Sequence, residues 1–208
     1  MYDHETYVLY PHHRKWFNKL WFSETMGYAC GPAGVGPIKS GWYITRPIMN
    51  IRGMGIDAKR VYIEQDDLST VRPGEFWCEW FDGKQYSVDF YRVGSEWVQK
   101  SCYLAERNTE NLSKFKKWTR CRDKSFSLSA MFDELLDVNE INVEFIDDKP
   151  FEVHLRSSAD PSYDELIPIW AGEENMIDIY EQLGYNYIES YDDCDGFLDT
   201  PRIGFVVK

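Results

Sequence analysis

The 208-residue sequence has no excess of basic charge, no long apolar run and no paired cysteine motif. Lys and Arg number 23 against 35 Asp and Glu, a net charge of −12. A general nucleic-acid or anionic-membrane surface needs a positive footprint to displace counterions, so neither kind of partner is expected. No stretch approaches the roughly 20 apolar residues of a membrane-spanning helix. The cysteines (Cys30, Cys78, Cys102, Cys121 and Cys194) are odd in number, scattered and never spaced C-x-x-C. That pattern excludes a zinc knuckle and a disulfide framework, and it predicts a reduced, intracellular setting. The opening "MYDHETYVLYPHHRKW" lacks a basic start followed by an apolar run, so no signal peptide is expected. These absences predict a soluble, cytoplasmic protein.

What is present suits a packed domain. Apolar residues make up 43% and aromatics 16%, enough material for a core in a chain of this length. A single domain over 1–208 is expected, with approximate lobes at 28–95 and 96–208. Residues 13–26, "HRKWFNKLWFSETM", place Trp16, Phe17, Leu20 and Trp21 at helical spacing, with Gly27 at the C-cap position. "WYITRP" reads as a strand ended by Pro47, followed by a loop with Gly53 and Gly55. "EFWCEWFDGKQYSVDFYRV", 75–93, reads as a hairpin around Asp82-Gly83. Residues 110–122 read as a basic helix, and 128–138 as an amphipathic one carrying Leu128, Met131, Phe132, Leu135 and Leu136. A further helix spans about 173–183. "YNYIES" and "RIGFVV" read as closing strands around "YDDCDGFLDT", which has too few acids at alternating positions for a calcium loop and is expected to be solvated. Strands broken by helices, with hairpins and no regular βαβ units, predict an α+β fold of largely antiparallel sheet.

"NVEFIDDKPFEVHLR", 142–156, is the stretch richest in chemistry. Alternate side chains of a strand share a face, so Phe151, Val153 and Leu155 point one way and Glu152, His154 and Arg156 the other. Burying Phe145 with Phe151 and Val153 needs a register whose paired numbers sum to an even value. A three-residue loop, Asp147 to Lys149, would pair Ile146 with Pro150 and set Glu144 across from Glu152. Two carboxylates so close repel, and something positive is expected between them. Arg156, protonated His154 and a divalent metal are the candidates, and an exposed charged face balanced by Arg156 and Lys149 is the alternative.

"VEFIDDKPFEVHLR" resembles the metal-binding hairpin of the ATP-grasp enzymes, in which an acid on one strand is followed by Glu-x-Asn-x-Arg on the next. Glu144, Glu152 and Arg156 match that pattern, and His154 stands where Asn is usual. "WYITRPIMNIRGMG" is similar to that family's basic residue before Pro and its glycine-containing loop, and "FWCEWFDGKQYSVDF" to its hinge strand, with Gln85 in place of a ribose-binding acid. The resemblance runs from about 40 to 156, and "HRKWFNKLWFSETMGY" resembles the helix that opens the family's central domain. The last 50 residues match nothing in it, and the usual N-terminal substrate domain has no counterpart.

The resemblance implies two lobes of mainly antiparallel sheet with packed helices and a nucleotide cleft between them. It implies ATP and Mg²⁺ as cofactors, with Glu144, Glu152 and His154 on the metal. Arg46 and the Gly53–Met54–Gly55 loop would hold phosphate, Cys78, Glu79 and Phe81 would pass the adenine, Gln85 would meet the ribose, and Arg156 would be catalytic. Arg52, Lys59 and Lys100 are candidate extra phosphate contacts. The implied activity is a ligase that activates a carboxylate as an acylphosphate for attack by an amine, on small-molecule or peptide substrates. The acceptor would be bound by the C-terminal segment, by a second subunit in a homodimer, or by a partner protein. The alternative is a non-catalytic relative that acts as a nucleotide-binding or protein-interaction module.

Overall fold

A computed structural model describes residues 1–108 and 111–208. The chain opens with the short helix α1 (Asp3–Leu9), a 3₁₀ turn over Pro11–Phe17 and the helix α2 (Lys19–Thr25). The single helix expected over 13–26 is thus broken at Asn18, whose side chain accepts a hydrogen bond from the Trp21 amide at 2.9 Å and caps α2. Gly27 ends α2 at φ 75°, a left-handed position where a Cβ is disfavoured.

Twelve strands follow: β1 (Cys30–Pro32), β2 (Gly41–Pro47), β3 (Lys59–Ile63), β4 (Glu75–Glu79), β5 (Gln85–Val93), β6 (Glu96–Arg107), β7 (Phe115–Arg120), β8 (Glu140–Ile146), β9 (Lys149–His154), β10 (Glu165–Trp170), β11 (Asn186–Asp192) and β12 (Arg202–Val207). The first four form a sheet in the order β1-β4-β2-β3, and the rest a sheet in the order β11-β12-β10-β7-β6-β5-β8-β9, every pairing antiparallel. The α+β expectation holds. A third helix, α3 (Asn175–Gln182), packs on β11 and β12. No helix among the described residues is long and apolar enough to cross a membrane.

Three expectations change. First, β4 and β5 do not pair: one belongs to the small sheet and the other to the large one. The Asp82-Gly83 signal marks the crossing between sheets, which falls at residues 80–84. Second, the basic stretch expected as a helix forms β7, because Phe115 and Trp118 find partners in a sheet that periodicity within one segment cannot reveal; Glu110 of that stretch lies outside the described residues. Third, the amphipathic stretch 128–138 holds only a 3₁₀ turn at Ala130–Glu134, although Phe132, Leu135 and Val138 are fully buried.

One face of the large sheet builds the main core. Tyr86, Val88 and Phe90 of β5, Ile141, Val143 and Phe145 of β8, and Val153 of β9 pack with Leu155 against Trp16, Phe17, Phe22, Phe132 and Leu135. Burying each such side chain is worth about 1.5–3 kcal/mol relative to exposure. Alternation turns Gln85, Ser87, Asn142, Glu144, Glu152 and His154 to the opposite face.

Candidate functional site

That opposite face lines a cavity of about 220 Å³. The β8–β9 hairpin supplies one wall. Glu144 lies across from Glu152, as expected, but through a different turn: Ile146 pairs with Lys149 around a two-residue Asp147-Asp148 loop, and a bulge restores the even register at Glu144–Glu152. The extra residue is Phe151. It turns away from Phe145 and Val153 and joins Ile146, Phe81, Phe76 and Cys78 in the cluster that ties the two sheets together. A bulge re-aims one side chain without disturbing those beyond it, so the expected burial of Phe151 with Phe145 gives way.

Asp147 also fixes the crossing between sheets. Its amide donates to the Lys84 carbonyl at 2.7 Å, and its Oδ1 accepts from the Lys84 amide at 3.1 Å. Gly83 sits at φ 138°, and a Cβ there would lie 2.2 Å from Asp147 Oδ2. The crossing carries Phe81, buried against Tyr28 at 4.8 Å between centroids, and Trp80, over which Arg60 lies at 4.8 Å.

The glycine loop closes another side. Gly53, Met54 and Gly55 all have positive φ, at 82°, 55° and 58°. Asn50 Nδ2 donates to the Gly53 carbonyl at 2.9 Å, and its Oδ1 accepts from the Arg52 amide at 3.0 Å. The acidic loop is largely exposed, as expected, but touches the glycine loop. Cys194 is buried with Sγ 3.7 Å from the Arg52 carbonyl, Asp195 pairs with Arg52 at 3.4 Å, and the Arg52 guanidinium lies 4.0 Å from the Phe197 ring.

A buried ionic network fills the hairpin end. Lys19 Nζ donates to Glu152 Oε1 at 2.5 Å, and Arg46 Nη1 to Glu152 Oε2 at 3.3 Å. Arg46 Nη2 donates to the Phe151 carbonyl at 3.0 Å, its guanidinium lies between the Phe76 and Phe151 rings, and its Nε is buried without a partner. Burial of Glu152 favours the neutral acid, but Lys19, His154 and Arg46 together overrule it and hold the carboxyl well below its usual range. His154 Nδ1 lies 2.8 Å from Asp3 Oδ2, and its Nε2 faces Glu152 at 3.7 Å and Glu144 at 3.9 Å. Burial alone would push the imidazole down; the Asp3 charge and hydrogen bond outweigh it and raise the pKa to about 9. Arg156 donates through Nε to Asp3 Oδ1 at 2.8 Å, through Nη2 to Asp3 Oδ2 at 3.2 Å, and through Nη1 to the Ser157 carbonyl at 3.0 Å. Glu144 Oε2 accepts from Gln85 Nε2 at 2.7 Å.

The twelve residues singled out for metal, nucleotide or catalytic roles all line this one cavity: Arg46, Gly53, Met54, Gly55, Cys78, Glu79, Phe81, Gln85, Glu144, Glu152, His154 and Arg156. Of the candidate extra phosphate contacts, Arg52 lines it, whereas Lys59 and Lys100 do not, and Lys100 pairs with Glu140 at 3.0 Å. Their individual partners differ from those expected. The expected placement of Glu144, Glu152 and His154 around a divalent cation meets a different arrangement: Glu152 is held by two cations, and the raised pKa of His154 favours the protonated ring, which offers no lone pair to a metal. Among the described residues no group of three His, Cys, Asp or Glu side chains is arranged to hold a metal ion. The residues present therefore do not fit Mg²⁺.

Two members of the network went unread in the sequence. Lys19 sits in register with Phe22 and Ser23 on the buried side of α2, and a lysine at i, i+3 spacing with core aromatics was the available signal. Asp3 gives no such signal, since only the fold of α1 onto β9 brings it beside Arg156.

Two antiparallel sheets, joined by a short crossing and enclosing a cavity between a hairpin and a glycine loop, define a cleft-type α+β protein. Comparison with solved structures shows the ATP-grasp fold. The N5-carboxyaminoimidazole synthetase of Staphylococcus aureus, in a structure complexed with ADP and in a second structure, aligns at TM-score 0.53 and 11% identity over 92% of this chain and 66% of that chain. An L-amino acid ligase of Bacillus licheniformis aligns at TM-score 0.47 and 11% identity, over 69% of this chain and 41% of that one. The chain thus spans 66% and 41% of the lengths of these proteins. No protein-family model matches the sequence, and no curated protein matches it.

Proposed function

We propose that the protein binds an adenine nucleotide in this cavity and uses it in ATP-dependent carboxylate–amine ligation. The observation that carries the reading is the convergence of twelve residues, chosen from four separate segments of sequence, on one cavity. The ADP complex of the S. aureus synthetase, which shares the fold, is consistent with a nucleotide there. The adenine would lie along the crossing, beside the backbone of Cys78 to Phe81. The phosphates would lie toward the Gly53–Gly55 loop and the Lys19, Arg46 and Arg156 cations, whose charge stabilises a transferring phosphoryl group. The loop would keep water from an acylphosphate.

The C-terminal strands supply the rest of the wall. Pro168, Trp170, Ser190, Tyr191, Asp192 and Arg202 line the same cavity, which supports an acceptor site made by this segment rather than by a second subunit or a partner protein. Small-molecule or peptide carboxylates and amines are the expected substrates.

A second reading, nucleotide binding without turnover, is favoured by the pairing of Glu152 with Lys19 and Arg46. Release of ADP from ATP, measured against a panel of amino acids and peptides, separates the two. Acceptor-dependent release supports the ligase. Saturable ATP binding with no release under any acceptor supports the second reading, and absence of ATP binding contradicts both.

A further inference from the structure

The hairpin of this cavity is already neutralised from within. Each oxygen of Glu152 accepts from a different cation, and the side chains concerned are only 8% (Lys19), 6% (Arg46) and 11% (Glu152) exposed. A divalent ion at Glu152 would displace an ammonium or a guanidinium and leave it buried without a partner, which is costly. Both cations are also tethered: Lys19 opens α2 and Arg46 sits within β2. Glu144 has one oxygen committed to Gln85 and the other turned toward His154. Mg²⁺ takes near-ideal octahedral oxygen ligation and gives up its waters reluctantly, and this pair offers it little.

Charge leads the same way. Lys19, Arg46 and Arg156 balance Asp3, Glu144 and Glu152 before His154 is counted. Such a cluster has no net attraction for a cation. Lys19 spends one of three ammonium donors on Glu152. The buried Nε of Arg46 has no partner at all.

We infer that the cavity takes a phosphoryl-bearing ligand directly on the fixed cations Lys19, Arg46 and Arg156, with no divalent metal bound to Glu144 or Glu152. This rests on the nucleotide reading above for the identity of the ligand, whereas the exclusion of metal from the hairpin stands without it. ADP is titrated into the full chain by calorimetry, once with EDTA and once with Mg²⁺. In parallel, Mn²⁺ alone is followed by water-proton relaxation with the wild type and with Glu144→Gln.

The expected result is an ADP affinity that agrees within about threefold between the two buffers, and is weakened about tenfold or more in both by Lys19→Met but retained in Lys19→Arg. Relaxation by Mn²⁺ is expected to be the same for wild type and Glu144→Gln. ADP binding about tenfold tighter with Mg²⁺, or Mn²⁺ enhancement that Glu144→Gln removes, overturns the proposal. If ADP gives no heat in either buffer, the nucleotide reading and the phosphoryl ligand fall together, and the Mn²⁺ comparison still decides whether the hairpin excludes metal.

Discussion

Glu152 and Asp160 line the same cavity and meet opposite surroundings. Glu152 is shared by Lys19 and Arg46, and its carboxyl is held down. Asp160 has Arg202 at 3.1 Å, but Arg202 also faces Asp192 at 3.6 Å. Desolvation pushes the Asp160 carboxyl up, and the divided guanidinium does not reverse it. Glu152 meets two cations, whereas Asp160 and Asp192 share one. One cavity thus has an end suited to an anion and an end suited to a positively charged group, which is the polarity that a phosphate-bearing ligand and an amine acceptor require.

The sharpest way to break this contrast is Lys19→Met. It leaves Glu152 buried with Arg46 and the more distant His154, and losing one partner of a buried pair costs about 3–5 kcal/mol. Urea unfolding should show that loss, and Lys19→Met with Glu152→Gln should recover at least half of it. A loss below about 1 kcal/mol would mean the pair is no more than a surface contact.

The next effect is a pH dependence at the same end. The folded-state pKa of His154, about 9, lies above its ordinary 6.5. The stabilisation is therefore complete below pH 6.5 and is lost as pH rises through about 9. The shift corresponds to about 3 kcal/mol. Thermal or urea unfolding between those limits should show that decline, and His154→Asn should flatten it. Glu152 acts with the opposite sign: its depressed pKa stabilises above the ordinary carboxylate range and is lost on acidification.

A smaller effect belongs to the crossing between the two sheets. Gly83→Ala places a Cβ against Asp147 Oδ2 at a backbone angle that side chains avoid, and should cost about 1–3 kcal/mol by urea unfolding. Smallest is the change at the acid-rich end. Asp160→Asn removes a charge that the fold disfavours, and should cost under about 1 kcal/mol at neutral pH. A cost equal to that of Lys19→Met would erase the distinction between the ends.

Much of this site is legible in the sequence. Alternation along 142–156 placed Glu144 across from Glu152, and "TRP", "RGMG" and "WCEWFDG" pointed to their walls of the cavity. The turn that achieves the register was not legible, because a two-residue loop with a bulge and a three-residue loop give the same pairing at Glu144. Asp82-Gly83 misled for a related reason: a tight turn looks the same whether the chain doubles back or passes to another sheet. The partners of Glu152, His154 and Arg156 were invisible because Lys19 lies 133 residues from the Glu152 carboxylate and Asp3 lies 151 residues from the His154 imidazole. Spacing within a segment says which face a side chain takes, but not what arrives from elsewhere to neutralise it.

Hydrogen exchange of the full chain with and without ATP tests the central claim most directly. The account predicts slowed exchange in the crossing, residues 78–85, and in the glycine loop, residues 50–56, at the same ATP concentration. Slowing in neither segment, or only in a region remote from the cavity, would contradict it.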